Sequence, residues 1–386
     1  MRFGTYYFLQ RPPGAREADV IKNEVDLMVW SERLGYDSVW LTEHHFADYG
    51  ISSAPSVLAS AVFSRTERLH VGLAVYVLPF HDPIRFAEET ATLDILSGGR
   101  LTVGLGRGNR PAEFVGYRVP PEESRARFEE AVGVVLQAWT ADRVEHAGRY
   151  WQIPGIPVHP RPLTRPHPPL AIAVNSPETI AWTARQGYRM LSSGLTTPLA
   201  RSRENRARYE AELHAAGHDA ATIARLLGQW TVTKHVYVAP TDEEAWADAR
   251  GPEEWFLDAF RRSLRVDGLP GLDPEFRART ERMVADLGTL RWEDLLRDAL
   301  LVGSPATVRA RVAELEAAGV GELVCWTSFG GLPLDKVRRS LQLFAAEVMP
   351  AFRAAPPSLA ESRSTAQAGD TEGWRGGTAA PDRGEG

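Results

Sequence analysis

The sequence has little of what several classes of protein require. Cys325 is the only cysteine among 386 residues, which excludes an intrachain disulfide framework and a cysteine-rich metal site. Acidic residues outnumber basic ones by 50 to 44, so there is no excess of positive charge for nucleic acid. No apolar run approaches the roughly 20 residues that span a bilayer, and the first residues are predicted as a strand rather than a signal peptide. These absences favour a cytoplasmic globular protein.

What is present is an alternation of short apolar runs with longer segments of helical periodicity. This alternation is typical of strand–helix units around a parallel sheet. The predicted strands are Phe3–Leu9, Ser38–Leu41, His70–Leu78, Leu101–Leu105, Leu170–Val174, Arg189–Ser192, Thr231–Val238 and Glu322–Trp326. Eight strands, each followed by a helix, favour an α/β fold of the (β/α)8 type, a TIM barrel with insertions, over an open sheet.

Two stretches interrupt the alternation, and a third lies beyond it. The proline-rich stretch 143–169 is predicted to be a surface excursion before the fifth strand. The stretch 266–300 is long enough to be a lid or a binding loop. Residues 354–386 consist mainly of Ala, Gly, Ser, Pro and charged residues, and they are predicted to be a disordered tail. The predicted barrel domain is therefore 1–353.

The carboxyl end of the second predicted strand carries a cluster of titratable side chains. In barrels of this type, catalytic groups lie at the carboxyl ends of the strands, and here Glu43, His44 and His45 follow the strand directly. Two histidines beside a carboxylate could relay protons near neutral pH. Alternatively, one histidine caps the strand and the other is exposed. Zinc binding is the weaker interpretation, because adjacent side chains diverge and no third ligand is evident.

A possible anion site follows the fourth and fifth predicted strands. The loop after strand four contains Gly106 and Arg107, and a guanidinium presents donors that suit a phosphate. Ser176 is predicted to cap the helix after strand five, where free amides and the helix dipole attract anions. Arg125 is a third candidate. The same residues also fit a plain capped helix without a ligand, so both interpretations remain open.

Several longer runs resemble one known family. They are the run from Gly35 to Phe46, Val77–Pro79, Ser97–Arg100, Gly104–Gly108 and Val348–Pro350. From residue 1 to about 352 the chain resembles the luciferase-like flavin-dependent monooxygenases, with the catalytic alpha subunits of bacterial luciferases as the most similar branch. The resemblance implies that reduced FMN reacts with O2 to give a C4a-peroxyflavin. This species then oxygenates a small organic molecule such as an aldehyde or a ketone.

The resemblance also implies roles for individual residues. His44 would transfer a proton and His45 would support it. The implied flavin-binding positions are Glu43, Ala74, Val75, Gly106, Arg107, Arg125, Asn175, Ser176 and Thr179, with a non-proline cis peptide between Ala74 and Val75. Arg291 would correspond to an arginine of the family's mobile substrate loop. The family's reactive cysteine is Gly106 here, so the resemblance leaves open whether the peroxyflavin is long-lived and whether light is emitted. The family's phosphate-site glutamate is Asn175, which removes a negative charge near the phosphate.

Two other functions stay open beside this one. Related barrels transfer hydride with a deazaflavin coenzyme, and luciferase-related accessory subunits bind flavin without catalysis. The run Glu43–Phe46 argues against the first alternative, and the presence of His44 argues against the second. No second nucleotide site is apparent, so reduced FMN is expected from a separate reductase. A homodimer that pairs through helices near the second and third strands is also expected.

Overall fold

A closed barrel of eight parallel strand positions lies at the centre of the fold, which confirms the predicted class. The computed structural model describes residues 1–174, 176–193 and 195–353. The strands are β1 Arg2–Tyr7, β2 Ser38–Leu41, β3 His70–Leu73, β4 Tyr76–Val77, β5 Leu101–Gly106, β6 Val144–Ala147, β7 Gln152–Ile156, β8 Leu170–Val174, β9 Arg189–Ser193, β10 Thr231–Val238, β11 Leu301–Gly303 and β12 Glu322–Trp326. Asn175 and the predicted tail, 354–386, lie outside the described residues.

The order of the strands around the barrel follows the chain. It is β1, β2, β3, β5, β8, β9, β10 and β12, and β12 closes the ring by pairing with β1. The single strand predicted over His70–Leu78 is in fact two, because Ala74 and Val75 leave the ladder between β3 and β4. At this point the Ala74 carbonyl accepts a hydrogen bond from the Tyr6 hydroxyl at 2.9 Å instead of from a neighbouring strand.

Helices surround the barrel. They are α1 Glu17–Arg33, α2 Pro55–Phe63, α3 Pro83–Ser97, α4 Pro111–Tyr117, α5 Ser124–Thr140, α6 Pro177–Arg185, α7 Leu199–Ala215, α8 Ala220–Gly228, α9 Asp242–Ser263, α10 Pro274–Thr289, α11 Trp292–Asp298, α12 Pro305–Ala317 and α13 Leu334–Leu343. Several begin as capping rules predict: the Asp82 carboxylate accepts the amides of Ile84 and Arg85 at the start of α3. In the described part of the chain, no helix is both long and apolar enough to cross a bilayer.

Both predicted interruptions contain regular structure. The stretch 143–169 includes an antiparallel hairpin of β6 and β7, and the Glu130 carboxylate accepts the amides of Tyr150 and Trp151 beside it. The stretch 266–300 contains α10 and α11. Phe276 of α10 packs edge-on against Phe114 of α4, with ring centroids 5.5 Å apart. The second insertion therefore reaches the loops at the carboxyl ends of the strands.

Side chains fill the interior of the barrel. Trp40, Ala171, Leu191 and Val324 form one buried cluster, and Gly72 makes room for it, since a Cβ there would lie 2.2 Å from the Trp40 ring. Nearer the amino ends of the strands, Arg189 forms a buried ion pair with Glu322. Burial would raise the pKa of Glu322, but the charges of Arg189 and Arg2 and the hydrogen bonds from Ser38 and Trp40 together outweigh it and lower that pKa. Because this interior is packed, a site has room only at a mouth of the barrel.

Candidate active site

Glu43 organises the loops after β2 and β4. Its buried carboxylate accepts hydrogen bonds from His45 Nε2 at 2.9 Å, His81 Nε2 at 2.7 Å and the Val77 amide at 2.6 Å. Burial would raise the pKa of Glu43, but these donors outweigh it and hold the pKa below its usual range. Glu43 is therefore ionised, and it orients two imidazoles. Within the described ranges, no three His, Cys, Asp or Glu side chains are arranged to hold a metal ion.

His44 lies in a different environment from its neighbour His45. Its ring stacks on Phe8 at 5.0 Å, and Tyr49 packs edge-on against it at 5.2 Å. Nδ1 lies 3.1 Å from Glu113 Oε1, which also accepts the His45 amide at 3.0 Å. Burial lowers the pKa of His44 and outweighs the opposite effect of the Glu113 carboxylate. The neutral imidazole is therefore favoured, with Nδ1–H donated to Glu113 and Nε2 left as a proton acceptor.

A cavity of about 150 Å³ lies beside His44. Its walls come from the loop after β2, from the start of α4 and from the end of α9. Tyr49, Arg110 and Glu113 line it together with His44. A neutral imidazole beside such a cavity could accept a proton from a bound molecule and return it.

A second group of predicted residues comes together where β5 and β8 end. Arg107 Nη2 donates to Thr179 Oγ1 at 3.4 Å, and that oxygen lies 3.1 Å from Ser176 Oγ. Ser176 is the N-cap of α6 and accepts the Thr179 amide at 3.4 Å. Burial, followed by repulsion from Arg125 and Arg279, lowers the pKa of Arg107 to about 10. Arg107 is still a cation at neutral pH. A bound anion would stabilise its charge, because it would offset the repulsion from Arg125 and Arg279.

Positively charged side chains act on the start of α6. Glu178 lies in the first turn of this helix. Hydrogen bonds at the helix start lower the pKa of Glu178, and the charges of Arg125 and Arg107 lower it further. Arg125 also forms an exposed i,i+4 ion pair with Glu129 at 3.5 Å, and such pairs contribute little. Hydroxyls, a helix N-terminus and neighbouring guanidinium groups are together a common way to bind a phosphate.

The segment between β3 and β4 is the third part of the site. The peptide between Ala74 and Val75 is cis, as the resemblance implied. The Ala74 amide donates to the Leu41 carbonyl at 2.6 Å, and the Val75 carbonyl accepts the Glu43 amide at 3.2 Å. On the neighbouring strand, a Cβ at Gly106 would lie 2.5 Å from Val75 Cγ2. The absence of a side chain at Gly106 therefore allows Val75 its present position. The residues present fit a flavin: Val75 would offer an apolar surface to the ring, and Arg107, Ser176 and Thr179 could hold a phosphate at the start of α6.

Not every predicted residue lines the cavity beside His44. Arg291 is exposed, precedes α11, and lines a second cavity of about 250 Å³ together with Arg250 and Glu253 rather than the cavity beside His44. Sequence reasoning missed Glu113 and His81, which the fold brings to His44 and Glu43. No local pattern marks them, because Glu113 lies 69 positions from His44 and His81 lies 38 positions from Glu43.

Comparisons with known sequences identify relatives. A profile of the family described as luciferase-like monooxygenase matches residues 1–322. The chain is 27% identical to an alkanal monooxygenase alpha chain of Photorhabdus luminescens, over 93% of this chain and 99% of that protein. It is 26% identical to the oxygenase component of a flavin-dependent trigonelline monooxygenase of Acinetobacter baylyi, over 91% of this chain and 96% of that protein.

Comparisons with solved structures give the same fold. The oxygenating constituent of 3,6-diketocamphane monooxygenase from Pseudomonas putida, solved in complex with FMN, matches with a TM-score of 0.74 and 21% identity. The match covers 91% of this chain and 98% of that one. An F420-dependent secondary alcohol dehydrogenase matches with a TM-score of 0.70 and 16% identity, over 92% and 99% of the two chains. At these identities the likeness concerns the fold alone.

Proposed function

The chain belongs to the luciferase-like monooxygenase family, and we propose that it oxygenates a small organic molecule with O2 and reduced FMN. The observation that carries the proposal is the pairing of two features on one end of the barrel. One is the positive cluster of Arg107 with the start of α6, and the other is a neutral His44 beside a cavity. An aldehyde, a ketone or an intermediate of secondary metabolism is the proposed class of substrate.

Each part of the site has a role in this proposal. Arg107, Arg125, Ser176 and Thr179 would hold the phosphate, and Val75 would lie against the flavin ring. Bound reduced FMN would supply the electrons that activate O2. His44 Nε2 would take up and return one proton, while the Glu113 carboxylate keeps the imidazole in the required tautomer.

Aromatic side chains next to His44 would exclude water from the reaction. Phe8 stacks between His44 and Trp326, with ring centroids 5.0 and 4.3 Å away. Phe8 and Trp326 are both buried. A dry, apolar wall on this side strengthens the electrostatic interactions within the site and slows unproductive reaction with water.

Oxygen-isotope labelling tests the proposed reaction. The protein with reduced FMN is mixed with heavy-isotope O2 and a panel of aldehydes and ketones, and the products are analysed by mass spectrometry. We expect one labelled oxygen atom in the product of at least one of these substrates. The rate should be about 100-fold or more lower for His44→Ala. It should be unchanged for His214→Ala, which alters an exposed histidine of α7. Unlabelled product, formed only with a reduced deazaflavin, would favour the hydride-transfer alternative. A full rate with His44→Ala would refute the role of His44.

We propose that reduced FMN comes from a separate reductase and that the enzyme works in the cytoplasm, where such a reductase has NADH. A relative is itself named as an oxygenase component, which supports a two-component system. Purified protein mixed with NADH and FMN should leave the flavin oxidised until an NADH:FMN reductase is added. Direct reduction of FMN by this protein would contradict the proposal.

We also propose a homodimer formed through α2 and α3. Three large apolar side chains on these helices are exposed: Val57 by 67%, Ile95 by 44% and Leu96 by 63%. An apolar surface on two adjacent helices is a common sign of an interface between chains. Light scattering would measure the mass in solution, and a monomer at micromolar concentration would contradict this assembly.

A further inference from the structure

Arg110 is a buried cation that uses only part of its hydrogen-bonding capacity: the Tyr49 hydroxyl is a partner, but two of the guanidinium nitrogens have none within the described part of the chain. It precedes α4, and only 5% of its surface is exposed. Its guanidinium carbon lies 4.6 Å from the ring centre of Tyr49 and 4.5 Å from that of Phe260. Among the described residues, Nε and Nη1 have no hydrogen-bond partner. Aromatic faces attract a cation, but they do not replace the hydrogen bonds that a buried guanidinium loses on leaving water.

The position of Arg110 connects it to the proposed proton acceptor. Arg110 lines the same cavity as His44, and Tyr49 touches both, being edge-on to His44 at 5.2 Å. Repulsion from the Arg110 charge contributes to the low pKa of His44. Arg110 is thus close enough to act on the same bound molecule as His44.

The other charged groups of the cavity have different surroundings. Arg262 is exposed and pairs with Asp258 of its own helix, and Arg265 and Asp267 are exposed. Glu113 accepts hydrogen bonds from His44 and His45. Within the described ranges, Arg110 is therefore the cavity cation that is both buried and left with free donors.

We propose that Arg110 binds the carboxylate of an organic acid and so holds the substrate beside His44. As a statement about the substrate, this rests on the proposed monooxygenase function. A planar guanidinium matches the two oxygens of a carboxylate in geometry and charge. Phe46, Ala47 and Leu269 line the same cavity and provide an apolar surface for the body of such a molecule. Arg107 belongs to the separate cluster at α6, so different arginines would bind the flavin phosphate and the acid.

Matched acids and amides test this site in the flavin-free, full-length protein. Benzoate and hexanoate are titrated calorimetrically, as are benzamide and hexanamide, which have nearly the same shape without the charge. We expect at least one acid to bind at least tenfold more tightly than its amide. Arg110→Gln should weaken binding of that acid at least tenfold and leave the amide unchanged. Arg85→Gln, at an exposed arginine of α3, should bind like wild type.

Each of the remaining outcomes counts against the site. Equal binding of acids and amides, no binding of either acid, or wild-type affinity of Arg110→Gln for the acid would overturn the proposal. Circular dichroism shows whether each variant is folded. If Arg110→Gln is not folded, Arg110→Lys takes its place. Lysine keeps the charge but lacks the planar arrangement of donors, so this variant should bind the acid more weakly than wild type. Unchanged affinity would overturn the proposal.

Titrating FMN into the same proteins separates this proposal from the proposed function. A wild-type protein that distinguishes acid from amide but does not bind FMN would contradict the proposed function and leave the Arg110 site standing. A protein that binds FMN but not the acids would overturn the Arg110 site alone. Arg110→Gln is expected to bind FMN like wild type, because Arg110 lies outside the α6 cluster.

Discussion

A methyl group at Gly106 tests how closely β5 and the Ala74–Val75 segment must approach each other. The added Cβ would lie 2.5 Å from Val75 Cγ2, whereas two carbon atoms pack at about 3.5–4.0 Å. The two groups must therefore separate by about 1 Å or more. Val75 is β-branched and has few alternative rotamers, so part of this movement passes to the backbone. We expect Gly106→Ala to lower the free energy of unfolding by about 1–3 kcal/mol.

The same substitution should affect the cofactor. Since Val75 is proposed to lie against the flavin ring, its displacement should weaken FMN binding by about tenfold, equivalent to about 1.4 kcal/mol. Urea denaturation measures the stability, and quenching of flavin fluorescence measures the affinity. The second substitution Val75→Ala removes Cγ2 and should restore most of the stability that Gly106→Ala loses.

Gly133 provides a matched control. It is exposed on α5, and a Cβ there would meet nothing within 4 Å. Gly133→Ala should therefore leave FMN affinity unchanged and raise stability by about 0.5–1 kcal/mol, the usual gain inside a helix. A Gly106→Ala variant as stable as wild type would refute the reasoning. So would an equal loss of stability with and without Val75→Ala, because the clash would then not be with Val75.

Three further predictions concern the proton acceptor, the core and the assembly. Glu113→Gln removes the charge that raises the pKa of His44, so the acid limb of the pH–rate profile should move to lower pH; a limb that stays in place contradicts this. Burial lowers the pKa of Lys234 to about 7, whereas the pKa of a lysine in an unfolded chain is about 10.4. Between these two pH values the unfolded chain binds more protons than the folded protein, so the free energy of unfolding rises with pH. Lys234→Met should then raise the free energy of unfolding at neutral pH by up to ~4 kcal/mol and flatten its pH dependence in urea melts, and a less stable variant would refute it. Val57→Arg combined with Leu96→Arg should give a folded monomer in light scattering, and a persistent dimer would place the interface elsewhere.

The barrel could be predicted because its strands have a simple signature. Strands with both faces buried contain short, continuously apolar runs, such as Val103–Gly106 and Leu323–Trp326. The break after Leu73 could not be predicted from the pattern, since Tyr76 and Val77 continue the apolar run. β11 has only three residues, too few to show any period.

The site could be predicted only where it follows directly from the strands. Active sites of such barrels lie at the carboxyl ends of the strands, and this rule located His44, Arg107 and Ser176. The structure places each of the three just after the carboxyl end of a strand. Glu113 and Arg110 belong to α4 and its start, and their importance comes from contacts with His44 and Tyr49 that depend on the tertiary fold. For the same reason, composition could not show that Nε and Nη1 of Arg110 have no hydrogen-bond partner among the described residues.

The most direct test of the central claim is to compare the affinities of FMN and riboflavin, which differ only by the phosphate. The claim is that Arg107 and the start of α6 bind the phosphate of the cofactor. Wild type should bind FMN at least tenfold more tightly than riboflavin, and Arg107→Gln should remove most of that difference while leaving riboflavin affinity unchanged. Equal affinity of the wild-type protein for the two flavins would contradict the claim.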